Sequence, residues 1–288
     1  MNLELTLFQF QIPILLFFLG IEALLSAYLH TKSYHLKDTA NSVFLTGLNF
    51  LLDIAMKGVN ISILFFCYQF AFYKISNAYL YWAALVVMED FMYYALHYVD
   101  HHCRLFWAVH VTHHSSEKMN LSIGFRSSVF QPLYRVVYFI PLALLGFNPL
   151  HIALVYAITQ FWGIFVHTEF IGKLGLLEYV LVTPSHHRVH HASNVAYLDK
   201  NMGMLLIVWD RIFGTFQKEL PGEKPVYGLT TPIASYHPMN IIFYEWKNIF
   251  TDLKQPLSWK NKFKYLFAPP GWSHDGSKLT TKKLRQLK

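Results

Sequence analysis

The chain has 288 residues, of which 54% are hydrophobic, 17% aromatic and only 14% charged, and its formal net charge is +7. Uncharged runs approaching the roughly 20 residues of a bilayer-spanning helix exclude an ordinary water-soluble globule, and the basic residues form no stripe or module that would read nucleic acid. Two cysteines, Cys67 in an apolar run and Cys103, stand in no CxxC or other metal-ligand spacing, so no disulfide is expected.

In chain order the first expected span is residues 5–29, interrupted only by Glu22. It has neither a basic leader nor an A-x-A-like cleavage site, so it reads as a retained helix and not a signal peptide. Residues 43–73 form the second, with Asp53 and Lys57 at i, i+4, where they can neutralise each other. Residues 79–96 form the third and lead directly into His97. Residues 129–146 and 149–166 form a helical hairpin split at Gly146-Phe147-Asn148-Pro149, which is strong turn chemistry. The expectation is an all-α membrane protein of four to five transmembrane helices, one domain over residues 1–288.

With Lys32 and Lys37 in a cytoplasmic loop, the span count puts residues 97–128 and 167–288 on that same side. Residues 254–288 hold nine Lys or Arg against one acid, Asp275, either as a solvated tail or as attraction to anionic lipid. Before and within that tail, Ile242, Trp246, Ile249, Phe250 and Leu253, then Trp259, Phe263, Leu266 and Phe267, recur at helical spacing. Helices in the membrane interface and helices packed on the histidine domain both fit this pattern.

The histidines carry the chemistry. His97-x3-His101 runs on into His102, and His110-x2-His113-His114 and His187-x2-His190-His191 repeat one string, with His167 between them. Positions i, i+3 and i+4 share a helix face, so each H-x-x-H-H turns three imidazoles toward one point. Eight or nine ring nitrogens overfill a single ion and suit two; imidazole alone leaves iron and zinc undecided. Either His101 or His102 suits the second position, and His101 is chosen. The candidate ligands are His97, His101, His110, His113, His114, His167, His187, His190 and His191. Metal-bound imidazoles need partners for their distal nitrogens. The candidates are Asp90, two turns before His97, with Asn120, Glu169, His186, Asp199 and Asn201. Arg188 suits a substrate headgroup or a phosphate, and the isolated His30, His35, His151, His237 and His274 read as surface or satisfied histidines.

The order H-x3-H, H-x2-H-H, H-x2-H-H downstream of apolar spans resembles the fatty acid hydroxylase and sterol desaturase superfamily of integral-membrane di-iron oxygenases. The resemblance covers residues 90–272. Asp90-Phe91-x-Tyr93-Tyr94, His113-His114-Ser115-Ser116-Glu117, His167-Thr168-Glu169, Thr183-Pro184-Ser185-His186-His187-Arg188-Val189-His190-His191, Leu198-Asp199-Lys200-Asn201, Trp209-Asp210-x-Ile212-Phe213-Gly214, Val226-Tyr227-Gly228-Leu229-Thr230 and Pro270-Gly271-Trp272 resemble its alkylglycerol monooxygenase-like branch. Two positions depart from the family pattern: Tyr98 stands where an arginine is common, and Gly163 where a tenth histidine occurs.

The resemblance implies two irons, for which zinc can substitute in a preparation, and an O2-dependent attack on a lipid C–H bond. Hydroxylation, alkylglycerol ether cleavage, and sterol or fatty acyl desaturation all fall within it. No catalytic residue beyond the metal centre is implied, and the substrate-binding residues are unknown. Nothing in the chain resembles a cytochrome b5, ferredoxin or flavin segment, so electrons come from a separate donor: a reduced pterin such as tetrahydropterin, a ferredoxin or a cytochrome b5-like protein. Beside the oxygenase stand a membrane metal transporter or sensor, for which only Glu22, Asp53, Lys57, Glu89 and Asp90 offer ionisable groups in the spans, and a silent lipid-binding scaffold.

Overall fold

A computed structural model describes residues 3–287, with side chains from residue 9 onward; Met1, Asn2 and Lys288, the ends of the single-domain range, lie outside the described residues. The described residues are helical. Their only extended pairings are two isolated bridges, Leu181 to Leu206 and Ala192 to Tyr227.

Helix α1 (Leu3–Tyr28) and α2 (Leu36–Tyr68) precede α3 (Ala78–His102), and α4 (Arg104–His114) follows with Cys103 as the joint. Two stretches, Gln9–Tyr28 and Leu36–Tyr68, are long and apolar enough to cross a bilayer. Their outer faces are bare of protein: Phe17, Leu24, Leu51 and Phe66 are exposed. The second helix begins seven residues before the expected span and ends five short of it. Its first turn is recruited by the histidine domain, where Arg126 pairs with Asp38.

The third expected span is not a separate unit. Helix α3 runs unbroken to His102 over 25 residues, about 37 Å, so His97 and His101 ride on a rigid extension of it. Its Glu89-Asp90 pair and its tyrosines lower its apolarity. The fourth expected span is broken. Pro132 sits in a 3-10 turn at Gln131–Leu133, and α6 (Val136–Leu144) has only nine residues, about 13 Å. A four-residue α5 (Leu121–Gly124) precedes this stretch and α7 (Pro149–Phe165) follows it, the latter 17 residues with Asn148 capping Leu150 N and Pro149 in the first turn. The expected turn is present: Gly146 has φ +91, and a Cβ there would lie 2.0 Å from Tyr73 O. Leu64, Leu85, Phe139, Leu142, Phe147 and Ile152 knit α2, α3, α6 and α7 into one core.

Asp53, expected to neutralise Lys57, also reaches across the chain to pair with Arg135. Helix α8 (Pro184–His190) carries the third histidine string, and α9 (Val208–Phe213) ends at Gly214. Then come α10 (Pro238–Ile242), α11 (Tyr244–Leu253), α12 (Trp259–Phe267) and α13 (Thr281–Gln286). Ile249 is buried on α11, and Glu245 and Asp252 pair with Arg104 of α4 at 2.6 and 2.7 Å, so α11 packs on the histidine domain. Both cysteines are free.

Candidate metal centre

Nine imidazoles from four stretches of chain meet in two groups. His97, His101, His110, His114 and His190 form one; His113, His167, His187 and His191 form the other, and within each group the ligand atoms all lie within 4.8 Å of one another. The H-x-x-H-H string on α4 is divided between them: His110 and His114, one turn apart, join the first, while His113 turns to the second. The groups abut, with the His114 and His191 rings 4.4 Å apart. His102 is outside both, stacked on Tyr98 at 3.9 Å with its Nδ1 on Tyr98 O.

Proton positions follow from the outer partners. A carbonyl oxygen only accepts, so His97 donates from Nδ1 to Met202 O at 2.8 Å, His113 to Arg126 O at 2.8 Å, His167 to Gly163 O at 2.7 Å and His190 to Lys200 O at 3.0 Å. Each of these neutral rings then points a bare Nε2 lone pair inward. His113 Nε2 and His167 Nε2 face each other at 3.3 Å. Burial pushes the His113 pKa down to about 4 and His167 well below the ordinary range, so neither ring brings a second proton to the contact. Two inward lone pairs at that distance repel unless a cation lies between them.

The spacing fits such a cation. Donors about 2.1 Å from one ion lie about 3.0 Å apart at a right angle and about 3.4 Å apart in a tetrahedron; the closest Nε2 pairs measure 2.8–3.3 Å. His190 Nε2 is buried with no hydrogen-bond partner, as a donor reserved for an ion would be. Burial, followed by the neighbouring imidazoles, also holds His110, His114, His187, His190 and His191 well below the histidine range, which keeps them neutral and ready to ligate.

Of the six residues expected behind the ligands, Asp199 touches an imidazole, with Oδ1 3.3 Å from His101 Nδ1. Burial opposes its ionised form, yet the hydrogen bond and charge of His101 outweigh that and hold its pKa below the usual carboxylate value. The other five work at one remove. Asp90 accepts from Leu205 N, Leu206 N and Trp209 Nε1 at 2.8, 3.1 and 2.9 Å; Asn201 ties His186 O to Gln217. Asn120 caps Ser122 and donates to Ser33 O; Glu169 accepts from Ser33 and Tyr227; and His186 closes a capping box with Thr183. Arg188, expected at a headgroup or phosphate, is buried in a pair with Glu219 and donates to Thr168 O and Ile171 O.

Several partners escaped the sequence because they are backbone carbonyls: Met202, Lys200, Arg126 and Gly163 offer no side-chain signal. One indirect signal exists. Asp199 and Asn201 have φ +48 and +55, a left-handed geometry that Asp and Asn tolerate, and this turn presents Asp199, Lys200 O and Met202 O to three different imidazoles. Ser128 Oγ, 3.0 Å from His110 Nδ1, and Asp100, whose carboxylate receives Tyr134 and Gln131 at 2.7 and 3.1 Å, were also missed. Burial pushes the Asp100 pKa up to about 8. Gly163 does not simply leave room for another ligand: a Cβ there would meet Met204 Sδ at 2.2 Å.

Two cavities reach the imidazoles from different sides. One of about 460 Å³ is walled by Ile12, Phe50, Leu64, Phe139 and Ile164 among others and touches His97, His110, His113, His167 and His187. The other, about 480 Å³, has polar residues such as Arg104, Asp199, Thr230 and Asn248 in its wall and touches His101, His114, His190 and His191.

The sequence pattern of the fatty acid hydroxylase family matches residues 82–215, a stretch that contains all nine imidazoles. This match identifies a fatty acid hydroxylase domain within the chain. The chain is 44% identical to human alkylglycerol monooxygenase over 195 residues, 66% of this chain and 42% of that protein. It is 35% identical to the Danio rerio alkylglycerol monooxygenase over 269 residues, 89% of this chain and 58% of that one. An ornithine lipid hydroxylase of Rhizobium tropici is 28% identical over 187 residues, 64% of this chain and 53% of that protein. The chain thus spans about half the length of the curated relatives it matches, which are named as monooxygenases and hydroxylases. No solved structure matches it.

Proposed function

We propose that this chain is an integral-membrane, di-iron, O2-dependent lipid hydroxylase, with the nine imidazoles as ligands, five to one ion and four to the other. The observation that carries the reading is the pair of inward lone pairs on His113 and His167, 3.3 Å apart and each fixed by an outer carbonyl. Two irons in these groups would supply reductive activation of O2, with one oxygen atom going to the lipid and the other to water. The chain's own residues do the rest. Met202 O, Lys200 O, Arg126 O and Gly163 O fix the ring tautomers; the apolar cavity holds a lipid chain against five imidazoles and keeps water out; and Tyr134 and Gln131 hold the Asp100 carboxyl 3.8 Å from His110 Nδ1.

In this reading the chain is multi-pass, with the metal domain and C-terminus cytoplasmic. The cavity beside His101 and His190 admits a diffusible two-electron donor, for which the family resemblance implies a reduced pterin. Attack on the carbon next to an ether oxygen would give a hemiacetal that separates into aldehyde and alcohol. That outcome is the alkylglycerol reading, and sterol or acyl desaturation is the other reaction open to the same centre. The relatives reported above are named as enzymes and not as transporters, which sets the transporter reading aside.

The test is iron-loaded protein in nanodiscs, supplied with membrane lipid extract, a reduced pterin and 18O2. Labelled lipid alcohol or aldehyde is expected, at about two irons per chain. Two bound metals without reductant-dependent O2 uptake or lipid oxidation would overturn the oxygenase assignment.

A further inference from the structure

Between His167 and His187 the chain makes an excursion whose composition contradicts its shape. Residues 171–180 hold no α-helix, only a 3-10 helix at Gly175–Tyr179, yet Leu176 is 84% exposed, Tyr179 67% and Val180 51%. Ile212 and Phe213 at the end of α9 are 62% and 53% exposed and belong to the same surface: Arg211 donates to Glu178 O at 3.1 Å and lies 5.8 Å over the Tyr179 ring. A contiguous apolar patch of this kind marks an interaction surface.

We infer that this surface is an interfacial apron, inserted at the boundary of headgroups and acyl chains beside α3; the inference rests on the membrane reading above. Its depth is fixed by α3. The Phe213 ring stacks on Tyr94 at 5.4 Å and on Phe91 at 6.0 Å, residues three and six positions before His97 on the same helix, which places them about 4.5 and 9 Å to the bilayer side of it. The patch is therefore continuous with the bilayer-side stretch of α3. Its chemistry is that of an interface: aliphatic tips, the aromatic rings of Tyr179 and Phe213, and the cations Lys173 and Arg211 at lipid-phosphate level. Arg188 clamps the root of the apron by donating to Thr168 O and Ile171 O, so the bilayer surface is tied directly to the backbone next to His167.

The experiment places nitroxide labels at Leu176→Cys, Tyr179→Cys and Ile212→Cys in a Cys67→Ala, Cys103→Ala background, in phosphatidylcholine nanodiscs, and compares collisions with O2 and with a nickel chelate. Lys218→Cys is the aqueous reference and Phe66→Cys, on the exposed face of α2, the lipid reference. The apron labels are expected to show about fivefold lower nickel accessibility than Lys218→Cys, with O2 accessibility near that of Phe66→Cys. Apron labels as aqueous as Lys218→Cys, with Phe66→Cys in lipid, overturn the apron and leave the membrane reading standing. An aqueous Phe66→Cys overturns the membrane reading itself. Shielding from both reagents, in detergent as well as nanodiscs, assigns the patch to a protein contact and also overturns the apron.

Discussion

The two imidazole groups are built from the same residue type but braced differently. In the first, one turn of chain at residues 199–202 serves three rings, through the Asp199 carboxylate, Lys200 O and Met202 O, and Ser128 serves a fourth. In the second, His113 and His167 lean on single carbonyls of separate segments, and His187 Nδ1 is buried with no partner. Three of the first group's five donors share one brace; of the second group's four, two rest on separate carbonyls and three face the apolar cavity. The second is the softer site and the one with more of its ligand shell turned toward the lipid cavity, which makes it the place where ligand loss costs most.

The largest contrast is therefore between equivalent deletions. His97→Ala leaves four donors, enough to close a shell around one ion, so both metals are retained with weakened affinity. His167→Ala leaves three and removes the ring that stands nearest to three others, at 2.8, 3.1 and 3.3 Å. Metal content is expected to fall from two ions toward one, and lipid oxidation by more than about 100-fold. Elemental analysis of the two purified variants checks this, and equal metal loss from both would erase the distinction.

This asymmetry marks how far the sequence could be read. The histidine spacings pick out the nine rings but not their partition, because each H-x-x-H-H, expected to turn three imidazoles toward one point, gives two to one group and one to the other; the apolar runs locate α1, α2, α3 and α7. What the pattern does not contain is a partner set made of main-chain oxygens, whose positions depend on tertiary folding and not on residue identity. Asp90 shows the same limit: two turns from His97, it lies on the right face, but it spends its carboxylate on Leu205 N, Leu206 N and Trp209, anchoring the chain just after Met202. The break before α6 was legible in Gln131, Pro132 and Arg135, polar and helix-breaking residues that the expected span over 129–146 passed over.

Acid sharpens the comparison in the metal-free protein. Burial lowers the His113 pKa to about 4, against an ordinary value of 6.5. Between those values the unfolded chain binds the proton and the folded one does not, so stability rises with pH across that window and is lost on acidification. For His113 alone the loss between pH 6.5 and 4 is roughly 3 kcal/mol. Bound metal competes with the same protons, so the loaded protein is expected to keep its melting temperature to lower pH than the apoprotein. Thermal unfolding of both forms across this range is the measurement; a flat apoprotein profile would mean the rings are already protonated, and the lone-pair argument for a cation would fail with them.

The smallest effect tests the shared brace. Asp199→Asn keeps the size of the side chain and its left-handed backbone, which Asn tolerates, but removes the carboxylate charge 3.3 Å from His101 Nδ1. The expected result is a 10- to 100-fold loss of affinity for one metal, roughly the range for outer hydrogen-bond partners, with the four-histidine group unchanged. Competition with a chelator, followed as two separate release phases, reports this directly. Only the phase belonging to the five-histidine group should quicken, because the rings that residues 199–202 hold, His97, His101 and His190, all belong to it. If both phases quicken together, residues 199–202 brace the whole centre and the two groups are mechanically one.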